Sequence, residues 1–229
     1  MNRALIIFVK EPDARAAKTR LAPALAPEER VGLYEAMLHD LSAETAAARC
    51  SRRIVCWTGE GEPSRLRAVF QGRAEWRRQR GADLGARMLN AFQEALKTDE
   101  SAVLIGSDAP LLTSAEMDAA FESLDRAEIA LAPCPDGGYG LIGARASALP
   151  FLPRLFENIP WSSADVLSET LNRLAELPAL RYVQLPLCFD VDTPDDLRVL
   201  CGLLKGRALS NQRTPKQTSA FLRRRFHAE

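Results

Sequence analysis

Along the whole chain, short β-prone runs alternate with stretches of helical spacing, and this alternation constrains the fold more than any other feature. The runs fall at residues 4–9, 54–57, 75–79, 102–106, 129–132, 139–144 and 182–185. Between the first two, Val31, Tyr34, Leu38 and Leu41 recur at helical spacing with Met37 beside the stripe. Pro27, Glu28 and Glu29 suit the N-terminus of that helix, which is expected to reach about residue 48. Further helices are expected at 64–70, 86–97, 113–124 and over most of 151–177, where Trp161-Ser162-Ser163 reads as a loop and helix start. Thr113 and Glu116 have capping-box spacing, and Asp192-Thr193-Pro194 opens a last helix to about 204. The pattern predicts one α/β domain with a mostly parallel central sheet flanked by helices.

A chain of 229 residues, 47% of them apolar, has material for one sizeable core. Cys50, Cys56, Cys134, Cys188 and Cys201 are scattered without a CxxC pair. That argues against a structural zinc site or a disulfide framework and suits a reducing, cytoplasmic setting. No apolar run approaches membrane-spanning length, and Met1-Asn2-Arg3 leads directly into a strand, so neither a membrane span nor a signal peptide is expected. The net charge of zero is unevenly spread. From Lys205 onward there are seven basic groups and one acid, leaving 23 basic and 29 acidic groups before it. We therefore expect a domain over 1–204 and a basic extension over 205–229 that packs loosely, with nucleic-acid binding not expected.

Five stretches carry candidate chemistry. Val103-Leu104-Ile105-Gly106-Ser107-Asp108-Ala109-Pro110 is an apolar strand running into a turn. Open α/β sheets bind ligands at the carboxyl ends of such strands, so Asp108 is either a carboxylate at the mouth of a crevice or a plain turn or cap residue. The loop from Lys10 to Pro23 follows the first strand without a P-loop or GxGxxG pattern and offers Lys10, Lys18 and Arg20 to phosphates. In Gly81-Ala82-Asp83-Leu84-Gly85, paired glycines before a helix suit either backbone approach to a ligand or a simple turn. Asp136-Gly137-Gly138-Tyr139-Gly140 is strong turn chemistry, yet Gly140 exceeds what a tight turn needs. In Asp190-Val191-Asp192-Thr193-Pro194, Asp192 either joins Asp108 at a magnesium site or caps the following helix, or does both. Only His39 and His227 are present, which argues against a histidine-based triad and weakens zinc or iron chemistry.

Taken in order, FVKEPDARAAKTRLAP, GADLGARM, LIGSDAPLLT, PDGGYGLIG, IPWSSADVL and DVDTPDDL resemble the nucleotide-diphospho-sugar transferase superfamily. More narrowly, the chain resembles a bacterial glycosyltransferase-like family, some of whose members are linked to arsenosugar biosynthesis. The first loop and its helix also resemble phospholactate guanylyltransferases, which lack the Asp-Gly-Gly-Tyr element. The resemblance implies a single Rossmann-like GT-A or nucleotidyltransferase fold. It implies Lys18 and Arg20 at the phosphates and Mg2+ (or Mn2+) on Asp108 and Asp192. The first loop departs from the family in lacking glycine over Asp13–Ala17.

The expected site therefore has Lys18, Arg20 and Asp108 in catalytic roles. Lys10, Asp83, Gly85, Asp136, Gly137, Gly138 and Tyr139 join Lys18 and Arg20 in binding nucleotide or substrate. The resemblance favours glycosyl transfer from a nucleotide sugar to a small-molecule acceptor. The alternative is nucleotidyl transfer from a nucleoside triphosphate to a phosphorylated small molecule, with release of pyrophosphate. A non-catalytic nucleotide-binding protein is a third reading. Apolar residues around Trp161 could serve a homodimer.

Overall fold

In the computed structural model, which describes residues 2–13, 17–70 and 72–226, strands and helices alternate as expected. The order is β1 (Arg3–Lys10), α1 (Pro27–Ala47), β2 (Arg52–Thr58), α2 (Ser64–Val69), β3 (Glu75–Arg78), α3 (Leu84–Ala95), β4 (Ser101–Ile105) and α4 (Ser114–Ser123). It continues with β5 (Ile129–Pro133), β6 (Tyr139–Arg145), α5 (Leu152–Leu155), α6 (Val166–Ala175), β7 (Tyr182–Gln184), α7 (Pro194–Leu209) and α8 (Lys216–Phe226). The seven strands form one sheet in the order β3-β2-β1-β4-β6-β5-β7. Neighbours run parallel except at β6, which is antiparallel to both β4 and β5.

Strand chemistry follows position in this sheet. β1 and β4 are buried along nearly their whole length, as strands covered on both faces must be, which explains their unbroken apolar runs. On one face Leu5, Ile7, Val103 and Ile105 pack with Leu38 of α1 and Phe121 of α4. On the other, Ile6 and Leu104 pack with Phe92 of α3 and Leu155 of α5. The short edge strands β3 and β7 are more exposed, and β3 carries Glu75, Arg77 and Arg78. Charged, short edges discourage pairing with another chain.

The chain lays down β1, β2 and β3 in one direction and then returns to place β4 on the other side of β1. The order thus reverses between β1 and β4. This is where open α/β sheets leave a crevice at the strands' carboxyl ends.

Three local expectations change. Helix α3 starts at Leu84 because Asp83 caps it, its Oδ1 accepting from Ala86 N at 2.7 Å. The break expected around Trp161 in the 151–177 stretch is longer, from Phe156 to Asp165, so α5 is a single turn and α6 starts at Val166 rather than near Ser163. The basic tail is not loosely packed: α7 runs past 204 to Leu209, and α8 lies on α1 with Thr218, Ser219 and Leu222 buried. Asp40 of α1 accepts from the backbone N–H groups of Gln217 and Thr218 at 2.9 and 2.8 Å, an anion at the N-terminal end of α8. Arg213 and Arg225 pair with Glu44 and Glu29, so part of the tail's positive charge is neutralised within the chain. No helix among the described residues is long and apolar enough to cross a membrane.

Candidate active site

Lys18 follows residues 14–16, which lie outside the described part of the first loop, and its backbone is left-handed with φ 47°. Its side chain turns inward and is only 4% exposed. The ammonium donates to Val191 O at 2.7 Å and to Asp192 Oδ1 at 3.1 Å, and pairs with Asp108 Oδ1. Three oxygens thus match its three protons. Burial works against the charged form, but the carboxylates of Asp108 and then Asp192 outweigh it and hold the Lys18 pKa above its ordinary value.

Neither of the two ambiguous aspartates serves as a helix cap. Helix α4 begins after Thr113, with Glu116 accepting from Thr113 N at 2.7 Å, so Asp108 is not needed as its cap. Helix α7 is capped by Thr193, and Asp196 closes the box by accepting from Thr193 N at 2.7 Å. Asp192 is therefore released from capping. The side chains of Asp108 and Asp192 remain 47% and 37% exposed, while Lys18 holds them together from the buried side. Val191 N donates to Asp108 O at 2.9 Å, which fixes the two aspartate-bearing segments side by side.

Tyr34 is a member of this site that periodicity assigned only to a helix face. Its hydroxyl accepts from Lys10 N at 3.1 Å and lies 3.0 Å from Ser107 Oγ. It thereby ties the end of β1 to the turn before Asp108. Burial, then the negative charge of Asp108, keeps its phenol protonated well above the ordinary range. Tyr34→Phe is expected to cost about 1–2 kcal/mol in chemical denaturation, since Lys10 N would lose its buried partner. An unchanged unfolding midpoint would show the bridge to be idle.

The other expected residues divide. Lys10 and Arg20 are exposed and make no ion pair among the described residues, so both remain available. Asp83 has an exposed carboxylate engaged as the α3 cap. Gly85 has a packing reason to be glycine: a Cβ there would lie 2.5 Å from Trp161 Nε1. Trp161 is thus committed to its own chain, where it also meets Phe156 at 6.2 Å between ring centres, and does not form a free apolar patch.

In the β5–β6 turn, Gly137 has φ 89°, and a Cβ there would lie 2.0 Å from Ala164 O. Gly138 N donates to Asp136 Oδ1 at 2.9 Å. Tyr139 does not face the crevice: its hydroxyl is buried near Thr170, and its ring packs on the α3 side of the sheet. Gly140, one residue on, points to the opposite face, where a Cβ would meet Cys188 Sγ at 2.6 Å and Cys134 Sγ at 3.2 Å. The glycine that the turn could not justify is explained by two thiols. Beside them Asp190 is half-buried; burial, then the Asp136 carboxylate, pushes its carboxyl up to about 6. That Cys134 meets Cys188 and Asp190 escapes sequence reasoning because the two segments are far apart in the chain.

Comparison with known proteins places these features in context. A family model described as "Uncharacterized protein conserved in bacteria (DUF2064)" matches residues 41–163. The chain is 32% identical over 188 residues to phosphoenolpyruvate guanylyltransferase of Sphaerobacter thermophilus, covering 81% of this chain and 87% of the relative. It is 28% identical over 184 residues to 2-phospho-L-lactate guanylyltransferase of Methanothermobacter thermautotrophicus, covering 79% and 77%. A crystal structure from Desulfovibrio desulfuricans G20, provisionally named a nucleotide-diphospho-sugar transferase, superimposes with a TM-score of 0.87. It is 31% identical and covers 98% of this chain and 95% of that one.

Proposed function

We propose that the chain, which belongs to the DUF2064 family, is a nucleotidyltransferase that joins a guanylyl group from GTP to a small phosphorylated carboxylic acid. The sequence motifs by themselves favour glycosyl transfer. Both curated relatives are guanylyltransferases, and they support the alternative. Their acceptors, by name, are small acids bearing a phosphate, which motivates the acceptor class here.

The observation that carries the reading is the meeting of Lys18, Asp108 and Asp192 at the carboxyl ends of β1 and β4. In this reaction an acceptor phosphate oxygen attacks the α-phosphorus of GTP, the α–β phosphoanhydride bond breaks, and pyrophosphate departs. The protein must chiefly position two polyanions and neutralise charge. Lys18 supplies a fixed cation, with Lys10 at the end of β1 and Arg20 just after Lys18 as exposed cations. Asp108 and Asp192 fit a divalent cation, because they already converge on one positive charge and keep solvent-facing oxygens. Such an ion, when bound, offsets charge on the triphosphate and on the departing pyrophosphate. Tyr34 holds the turn that aims Asp108.

The test is an assay of GTP, Mg2+ and a panel of phosphorylated carboxylic acids. Pyrophosphate should appear in step with a guanylylated product, cease on chelation, and resume with added Mg2+ or Mn2+. Release of nucleoside diphosphate from a nucleotide sugar, without pyrophosphate from GTP, would overturn the reading.

A further inference from the structure

Beside the crevice, the thiol of Cys134 and one oxygen each of Asp136 and Asp190 lie within 4.8 Å of one another. The scattered spacing of the cysteines argues against such a grouping. The β5–β6 turn and the segment leading to α7 create it nonetheless. Cys134 N donates to Gly138 O at 2.9 Å and Cys188 N to Pro133 O at 2.8 Å, so the bearing segments are pinned. Cys188 Sγ and Cys134 Sγ both lie over Gly140, which leaves the two sulfurs room.

The charge balance differs from that of the first site. Asp108 and Asp192 share the buried ammonium of Lys18. Asp136 and Asp190 form no ion pair with any basic group among the described residues. Two like charges this close repel unless a proton or a cation lies between them. A thiolate beside two carboxylates selects a borderline-soft ion over magnesium. In a tetrahedral site with bonds of about 2.0–2.3 Å, donors stand roughly 3.5 Å apart, so a contraction of about 1 Å would suffice.

We propose that Cys134, Asp136 and Asp190 form a second cation site, separate from the Asp108–Asp192 pair, that takes a zinc-class divalent ion. Binding forms a metal–sulfur bond and releases the Cys134 thiol proton to solvent. The Cys188 sulfur lies beside that of Cys134 over Gly140. The proposal goes beyond nucleotidyl transfer and does not depend on it.

Titrating the metal-stripped full chain with Co2+ tests it through thiolate-to-cobalt absorption in the near ultraviolet. The expected band saturates at one ion per chain, disappears on adding Zn2+, and resists excess Mg2+. Cys134→Ser should remove it. Asp136→Asn or Asp190→Asn should weaken Co2+ binding by about tenfold or more. Asp108→Asn should leave it intact, which separates this site from the first. No band, a band that survives Cys134→Ser, or one lost in Asp108→Asn would overturn the proposal. Should Cys134→Ser fail to fold by circular dichroism, Asp136→Asn, on an exposed turn, decides in its place: undiminished Co2+ affinity in that variant would equally overturn the site.

Discussion

Lys18→Met is expected to lower kcat for pyrophosphate release by about 10²–10³-fold, the usual cost of deleting one preorganised charge-stabilising donor. The physical reason is its setting. The ammonium is almost fully buried and held by three oxygens, so its position is set before any ligand arrives. Stability should change little, within about 1 kcal/mol, because Asp108 and Asp192 have solvent-facing surfaces through which water can replace the lost cation. Methionine has nearly the length and volume of the buried lysine stem, so little space is left empty. The two carboxylates would then repel one another. Divalent-ion binding without nucleotide, followed by calorimetry, should therefore tighten while turnover collapses. A variant that keeps more than a tenth of wild-type kcat, or binds the ion less tightly, would place Lys18 outside the chemistry. Asp108→Asn should lose both turnover and ion binding.

The pH dependence of this ion pair has a definite sign. The folded pKa of Lys18 is raised above its ordinary value of 10.5. Its contribution is therefore complete below that value and is lost only as pH climbs through the higher folded value. No loss of activity near neutrality should trace to Lys18.

Gly137→Ala is expected to destabilise the chain by about 2–4 kcal/mol, read as a fall of roughly 5–15 °C in Tm. Two costs add. At φ 89° an alanine side chain is strained, and the new Cβ would lie 2.0 Å from the carbonyl oxygen of Ala164 and 2.6 Å from its carbon. That neighbour is backbone, so no rotamer change relieves the clash, and Gly137 O already accepts from Leu167 N at 2.8 Å. Gly138→Ala is the control. Its Cβ would approach only the Asp136 side chain, at 3.3 Å, and its Tm should move far less. If Gly137→Ala kept its Tm and lost only ligand affinity, the glycine would be a ligand contact, as the glycine-rich motif suggests.

These variants show where residue patterns stop being informative. Asp-Gly-Gly-Tyr-Gly signals a turn near a ligand, yet Gly137 answers to Ala164, Gly140 to two thiols, and Tyr139 to the opposite face of the sheet. Alternation along a strand says that Tyr139 and Gly140 point apart, but not which of them faces the crevice. Similarly, Asp192 and Thr193 are both good caps, and only the observed hydrogen bonds show which one serves. Tyr34 carried the right helical spacing for the core. That its hydroxyl also reaches Lys10 and Ser107 depends on where α1 crosses the sheet.

From the sequence alone, the α/β class, the strand and helix order as far as α7, and the candidacy of Lys18, Asp108 and Asp192 were legible. Apolar periodicity, caps and turn residues are local physics. Only the tertiary structure decided that those three side chains meet, because the order of strands reverses between β1 and β4 and brings segments up to 174 positions apart into hydrogen-bond range. It likewise decided that the basic tail folds onto α1 and that Cys134 meets Cys188 and Asp190. Such encounters are set by how helices cover the two faces of the sheet. No local pattern in the chain encodes them by itself.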